Sequence, residues 1–569
     1  MWRRTRMLFL IMVVVVVGGL LLRSRASTVR IKTGSYLLLD VRDRYVEAPP
    51  DDLLGRLLGG GGRTLHDLIT TLRMAKADQR IAGVILRIGS LDIGWAKAQD
   101  IRDAIFDFRR SNKPMLALLE HELTSSNREY YIATAADRIY LAPVVSAPLT
   151  GLAAQFLFLG GVWDKLDIEM TVEKIREYKT MGDMIGFKEM TPAHREMANA
   201  LLDSLDAQFV QAVADARKLE PAQVREWIDR APSSPREFES AGLSDGTKYV
   251  QTLHDEQGGE QTPLLRGEDY EEVDPADLGI GKGPKIAVVY AVGTIETGEG
   301  NTGIQGQAIG SDIISKAIQE AADDSEIQAI VLRVDSPGGS ALASDLIWRA
   351  TRYARAKKPV VVSMSDVAAS GGYYISAGAN KIVAQPGTLT GSIGVVMVRP
   401  DIKKALARLG VTTETLTRGK YAYLDDVTMP LTPDGRAKIV AGLEHIYAEF
   451  VDRVAAGRQM TTQEVDSVGR GRVWTGAQAK EKRLVDELGG FQRAVEIANE
   501  LTGRDPSTEV ELVFYPQSEG LAAQLSRLLG ASQPAVQLPA PLDRIADLVV
   551  SRFQGGTLLT MMPESIEIR

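Results

Sequence analysis

The feature that most constrains this chain is that it contains one domain twice. RIAGVILRI (80–88) matches EIQAIVLRV (326–334) 246 positions further on, and YYIATAADRIYLAP (130–143) matches YYISAGANKIVAQP (373–386) 243 positions on. LTG recurs at 149–151 and 389–391, Thr191-Pro192 recurs as Thr432-Pro433, and Phe209-Val210 recurs as Phe450-Val451. The copies close on SAGLSDG (240–246) and EKRLVDE (481–487). Small drifts of offset are what short loop insertions produce. Residues 35–255 and 285–500 therefore read as homologous domains, 256–284 as a solvated linker rich in Gly, Glu and Asp, and 501–569 as an extension outside the repeat. The length of 569 residues asks for two or more cores on its own account.

Within each copy, short β-branched runs alternate with amphipathic stretches. KIAVVYAVGTI (285–295), AIVLRV (329–334), PVVVSM (359–364) and KIVAQP (381–386) read as buried strands. SDIISKAIQEAAD and DLIWRATRYARAK, with apolar residues at i, i+3 and i+4, read as helices between them. Such alternation predicts an α/β fold with a parallel, helix-covered sheet and right-handed crossovers. Ligands in these folds sit in the loops beyond the carboxyl ends of the strands.

The N-terminus carries a different signal. Arg3, Arg4 and Arg6 precede an apolar run over 7–22, and Arg23 and Arg25 follow it. As a helix that run covers roughly 24 Å against a hydrocarbon core of about 30 Å, and flanking arginines can snorkel across the difference. Residues 1–30 are thus expected to form a cytoplasmic tip and an uncleaved membrane anchor, with the bulk of the chain outside the cytoplasm. A signal peptide cut near Ser24-Arg-Ala26 is the rival reading. The absence of cysteine excludes disulfides, thiol nucleophiles and thiolate metal sites. A net charge of −8 without a clustered basic face gives no reason to expect nucleic acid. No set of metal-ligand spacing and no phosphate-binding glycine loop is found, so no cofactor or metal is expected and no ATP-driven motor of the chain's own.

Two loops carry chemistry. Asp335-Ser336-Pro337-Gly338-Gly339-Ser340 follows the strand AIVLRV, and ASGGYYI (369–375) follows the next strand. Paired glycines let backbone N–H groups turn toward a ligand at a helix N-terminus, which suits a developing oxyanion. Either motif alone is as well read as a strand-to-helix turn with a serine cap. Their joint order, followed by TLTGSIGV (388–395), resembles the Clp-protease/crotonase-like superfamily and, within it, the signal peptide peptidase A family, also called protease IV, in its long tandem form. The resemblance spans roughly residues 35–500. It implies two tandem crotonase-like domains after a transmembrane helix, with Ser370 as nucleophile and the N–H groups of Gly339 and Gly371 as oxyanion hole. It further implies a homotetrameric, bowl-like ring on the bacterial cytoplasmic membrane, facing the periplasm and degrading signal peptides after their release.

A serine nucleophile needs a base. The five histidines (His66, His121, His194, His254, His445) have no catalytic sequence context. Lysine serves if it is neutral, and moving it from about 10.4 to about 7–8 costs roughly 4 kcal/mol, which a desolvated pocket can supply. Single-domain relatives carry a base lysine after a tyrosine, in a string like GKYKD. Here the copies read REYKTMG (176–182) and RGKYAYL (418–424). Pairing Tyr178 with Tyr421 sets Lys179 opposite Ala422, and the same offset sets Ser370 opposite Asn127. Each copy has kept one half of a Ser–Lys dyad and lost the other, which a composite site across both domains explains. Lys420 is the rival base, but read on a strand it stands two residues, roughly 6–7 Å, from the required position. The first copy has Gly89-Ser90-Leu91-Asp92-Ile93 in place of the oxyanion motif, and its Ser125 and Ser126 lack a following Gly-Gly and read as turn residues. The expected function is a membrane-anchored serine endopeptidase acting on cleaved signal peptides and other short hydrophobic peptides. The alternatives are an acyl-CoA enzyme of the same fold and an inactive membrane scaffold.

Overall fold

Runs of Val, Ile and Leu without alternation can be buried on both faces only where helices cover a parallel sheet, and both copies do this. The computed structural model describes residues 31–48, 63–121, 125–303, 306–516, 559–561 and 567–568. In the first copy the strands lie in the order Arg138–Leu141, Met115–Leu119, Ile81–Asp92, Ser35–Arg44, Leu264–Arg266, with all neighbours parallel. In the second the order is Val473–Thr475, Leu389–Gly391, Val360–Ala369, Ile327–Ser336, Lys285–Val292, Glu511–Tyr515, parallel except for the first pair. Each sheet has its own core: Leu37, Leu86, Ile101, Phe209 and Phe238 in one, Val289, Leu332, Ile347, Phe450 and Leu484 in the other. The long helices Pro192–Arg217 and Pro433–Arg458 match closely. Each is capped by a threonine, starts on proline and ends on a left-handed residue, Lys218 or Gln459.

The segments outside the repeat are more structured than their composition suggests. Residues 256–284 do not form a merely solvated linker: Leu264–Arg266 pairs with Ser35–Arg44, and Tyr270 is buried with its hydroxyl donating to Asp78. Glu511–Tyr515, in the C-terminal extension, takes the equivalent edge beside Lys285–Val292. In both cases a few apolar residues in a polar stretch close a sheet edge that would otherwise stand open.

A third sheet joins the copies. Glu169–Lys174 from the first copy lies antiparallel to Val396–Asp401 from the second, in register from Lys174 against Val396 to Glu169 against Asp401. The same sheet continues through Leu559–Met561 to Gly338–Ser340 and Thr294–Glu296. It therefore brings the segment after residue 174 to the carboxyl ends of the second copy's strands. Among the described residues no helix is long and apolar enough to cross a membrane. The apolar run over 7–22 lies outside them.

Candidate active site

Strand Val360–Ala369 ends on Ser370, and helix Gly371–Ser376 begins at the next residue. Ser370 adopts φ +56°, ψ −114°, a conformation that costs a non-glycine residue free energy and persists only where its surroundings enforce it. The enforcement is visible: Ser370 N–H donates to the Gly391 carbonyl (2.8 Å), and the Ser370 carbonyl accepts from Tyr374 N–H (2.8 Å). Tyr373 at the following turn donates its hydroxyl to the Leu484 carbonyl, as Tyr130 does to Leu243 in the first copy.

Lys179 enters from the other copy. Its side chain is buried, and Nζ lies 2.7 Å from Ser370 Oγ, 3.0 Å from the Ser392 carbonyl oxygen and 2.9 Å from Ser392 Oγ. All three partners are uncharged. Desolvation by burial pushes the Lys179 ammonium well below the ordinary lysine range. A neutral amine has two N–H bonds and one lone pair. Ser392 offers an acceptor to each N–H, which leaves the lone pair for the Ser370 O–H. The backbone around Lys179 is held by residues 470–472: Tyr178 N–H donates to the Arg470 carbonyl, Gly471 N–H to Ile393, and Ser392 N–H to Arg472. Gly471 has φ +83°, and a Cβ there would stand 2.4 Å from Lys179 N.

The glycine loops meet beside Ser370. Gly338 has φ +106°, open to glycine and few others. A Cβ on Gly339 would stand 2.0 Å from the Ile295 carbonyl oxygen, and one on Gly371 would stand 2.6 Å from Ser344 Oγ and 3.1 Å from Gly339 N. Gly371 opens its helix, so its N–H has no intrahelical acceptor. Alongside, Leu559–Met561 runs antiparallel to Gly338–Ser340, with Thr560 opposite Gly339 and Leu559 also opposite Val396. An extended backbone thus fits the slot next to the glycine turn.

The remaining sequence readings sort themselves by position. Lys420 is solvent-exposed and paired with Asp434 at 2.7 Å, and residues 418–424 form bends and turns, not a strand. Asn127, opposite Ser370 in the repeat, is buried and fully engaged: its amide donates to Ser125 Oγ and the Gly151 carbonyl and accepts from Thr150 N–H. In the first copy's degenerate oxyanion turn, Leu91 N–H is taken by Glu129 (2.8 Å). His194 is buried against Phe156, with ring centroids 4.8 Å apart. Ser392 is the site residue that sequence reasoning passed over. It lies inside the quoted string TLTGSIGV, and the repeat itself marks it, since the residue after LTG is Ser392 in one copy and Leu152 in the other.

The family model described as "Peptidase family S49" matches residues 107–258 and 352–504, one stretch in each copy. "Serine protease SPPA, chloroplastic" of Arabidopsis thaliana is 34% identical over 92% of this chain and 75% of its own length. "Protease 4" of Salmonella typhi is 32% identical over 95% of this chain and 91% of its own, and "Protease 4" of Haemophilus influenzae is 29% identical over 84% and 81%.

Proposed function

The chain belongs to peptidase family S49 and is a serine-type peptidase akin to Protease 4, and from that premise we propose that Ser370 is its nucleophile and Lys179 its general base, acting across the two copies. The observation that carries this reading is the contact between a buried, uncompensated lysine and a strained serine, 2.7 Å apart. As Ser370 Oγ attacks the scissile carbonyl carbon, its proton passes to Lys179 Nζ. The carbonyl oxygen becomes an oxyanion held by Gly339 and Gly371 N–H. Collapse of the intermediate breaks the C–N bond, and Lys179 returns the proton to the leaving amine. Water, deprotonated in turn by Lys179, then attacks the acyl carbon, the bond from that carbon to Ser370 Oγ breaks, and Lys179 returns the proton to Oγ. An acyl-CoA enzyme would have no use for a buried lysine on a serine hydroxyl.

The substrate in this proposal is an extended hydrophobic peptide, with cleaved signal peptides as the physiological class. Supporting this, the Leu559–Met561 backbone already occupies the slot beside Gly339 as an added strand, the mode by which sheet edges take peptides. The protein is proposed to be anchored by the run over 7–22 in a bacterial cytoplasmic membrane, to face outward, and to act as a homotetramer.

The test is hydrolysis of a fluorogenic hydrophobic peptide ester by wild type, Ser370→Ala, Lys179→Ala and Lys420→Ala. Loss of at least about 10³-fold is expected for the first two variants, the scale seen when one member of a catalytic unit is removed, with Lys420→Ala unchanged. An active Lys179→Ala enzyme sinks the cross-copy dyad.

A further inference from the structure

The first copy's helix Trp95–Arg109 is the repeat counterpart of Ala341–Arg355, the helix that follows the second copy's oxyanion turn; the two are 246 positions apart. In the first copy the N-terminus of this helix receives a carboxylate of the other copy. Asp366 Oδ2 accepts from Gly94 N–H (3.0 Å), and Oδ1 accepts from Lys97 N–H (3.0 Å). Space at this point is close: a Cβ on Gly94 would stand 2.3 Å from Asp366 Cγ. The Lys97 ammonium, buried, donates to Asp366 Oδ2 (2.9 Å) and to Asp335 Oδ2 (2.5 Å), and Glu47 Oε1 lies 3.7 Å away. Asp335 Oδ1 in turn accepts from Val367 N–H (3.1 Å).

The location of this bridge gives it meaning. Asp335 stands four residues before Gly339, and Asp366 four residues before Ser370. Here the backbone ladder between Ile327–Ser336 and Val360–Ala369 breaks register: Val334 faces Met364, but Ser336 faces Ala368. Across this break Asp335 and residues 365–367 have no partner in the ladder between these two strands, which resumes at Ser336 and Ala368 just before the two turns. The Asp335–Lys97–Asp366 bridge spans the gap instead.

We propose that Lys97 is a positioning residue for the peptidase reaction: from the degenerate oxyanion site of the first copy it clamps the two strands that deliver Gly339 and Ser370. This inference rests on the dyad proposed above. It assigns the first copy a second contribution besides Lys179. The clamp touches no reacting atom and acts through the separation of the two turns, so its loss strikes the chemical step rather than peptide binding.

The experiment uses the full chain and a fluorophosphonate that labels the active serine, together with peptide-ester kinetics. Lys97→Met is expected to lower kcat by about 30- to 100-fold, approaching the loss of one oxyanion donor, with KM changed less than about threefold and the final labelled fraction kept. Lys97→Arg, which retains the cation, restores part of the rate. Asp366→Asn, which drops the charge and keeps an acceptor for only one of the Gly94 and Lys97 N–H groups, moves kcat and labelling rate the same way and serves if Lys97→Met folds poorly. A labelled fraction that falls while the rate per labelled serine holds would mean that Lys97 only supports the fold, and overturns the proposal. Wild-type rates in both Lys97→Met and Asp366→Asn also overturn it, while leaving the dyad standing if Ser370→Ala takes no label. A Ser370→Ala enzyme that still labels and turns over removes the dyad, and the clamp with it.

Discussion

A lysine that acts as a base must be kept neutral, and the burial that achieves this withdraws stability from the fold. Around neutral pH the Lys179 side chain is protonated in the unfolded chain, whereas burial drives its folded-state value well down from 10.5. Between the folded and unfolded values the unfolded state binds the extra proton, so stability from this group rises with pH until about 10.5. Lys179→Met is therefore expected to be inactive yet more stable at pH 7, by about 1–2 kcal/mol. The gain should shrink as pH approaches 10.5, and urea unfolding at several pH values measures it. A variant less stable than wild type at pH 7 contradicts the neutral amine. Catalysis follows the same proton with the opposite reading: kcat/KM should rise with pH on a limb whose midpoint lies far below the ordinary lysine range, because only the unprotonated amine has a lone pair for Ser370. Ser392→Ala leaves one Lys179 N–H with the carbonyl alone to bond. It should cut kcat by about tenfold with little change in KM, a modest share of what general-base catalysis contributes. Unaltered kinetics in that variant would mean that Ser392 has no part in orienting the lysine.

Between elements, the contact that delivers Lys179 also offers a pattern for the proposed homotetramer. Glu169–Lys174 pairs within the chain with Val396–Asp401. Moving each strand by the repeat offset of 243 gives 412–417 in the second copy and 153–158 in the first, which are not paired with one another. Residues 412–417 are exposed and outside any strand, and Leu416, Leu409 and Leu157 are 92%, 78% and 66% exposed. In the proposed homotetramer the second copy of one chain meets the first copy of the next, repeating the internal contact head to tail until the ring closes. Leu416→Asp should shift the light-scattering mass from tetramer toward monomer, and a monomeric wild type at micromolar concentration would dispose of the ring. How much of all this the sequence disclosed varies with the range of the interaction. The repeat, the strand–helix alternation and the opposed pair Lys179/Ser370 were legible because each leaves a local string that can be compared with its twin. Lys97 was not: WAKAQD reads as an ordinary helix start, and its partners Asp335 and Asp366 lie more than two hundred residues away. The strand reading of RGKYAYL failed because its two tyrosines mimic a period of two in a segment that forms turns. The linker misled because composition averages away the few apolar residues, Leu264, Leu265 and Tyr270, that dock it.

For the molecule as a whole, the two cores are joined by charges buried between them, and this predicts how the chain unfolds. Arg333, 1% exposed, donates from Nε and Nη2 to the Glu47 carboxylate (2.8 and 2.9 Å) and from Nη2 to Asp100 (2.7 Å), so one side chain of the second copy holds two carboxylates of the first. Gln385 adds a bond to Asp100, and Gln99 accepts from Gly387 N–H. Removing one partner from such a network leaves uncompensated charge in a dry place, and Arg333→Met should cost about 3–5 kcal/mol. The pH dependence follows from the carboxylates. Burial raises the Glu47 value, but Arg333 and Lys97 outweigh it and hold Glu47 down at about 2, below the ordinary 4.5. Its contribution is therefore present above about pH 4.5 and is lost as pH falls toward 2. At Asp100 burial wins over Arg333 and the value rises to about 6, so its contribution weakens as pH climbs from 3.8 through 6. Without Arg333 both carboxyls lose a group that lowers them and protonate at higher pH, so the deficit of Arg333→Met is largest near neutrality and narrows on acidification. Urea unfolding at pH 7 and pH 5, followed by tryptophan fluorescence, tests this. Wild type should unfold in one transition because the network spans both cores, and Arg333→Met should lose that coupling and unfold in two. A variant that keeps a single transition at the wild-type midpoint would show that the other contacts between the copies, the Glu169–Lys174 pairing and the packing of Met197 and Leu201 against Leu389 and Val473 among them, hold them together without Arg333, and the buried charges would then need another reason to be there.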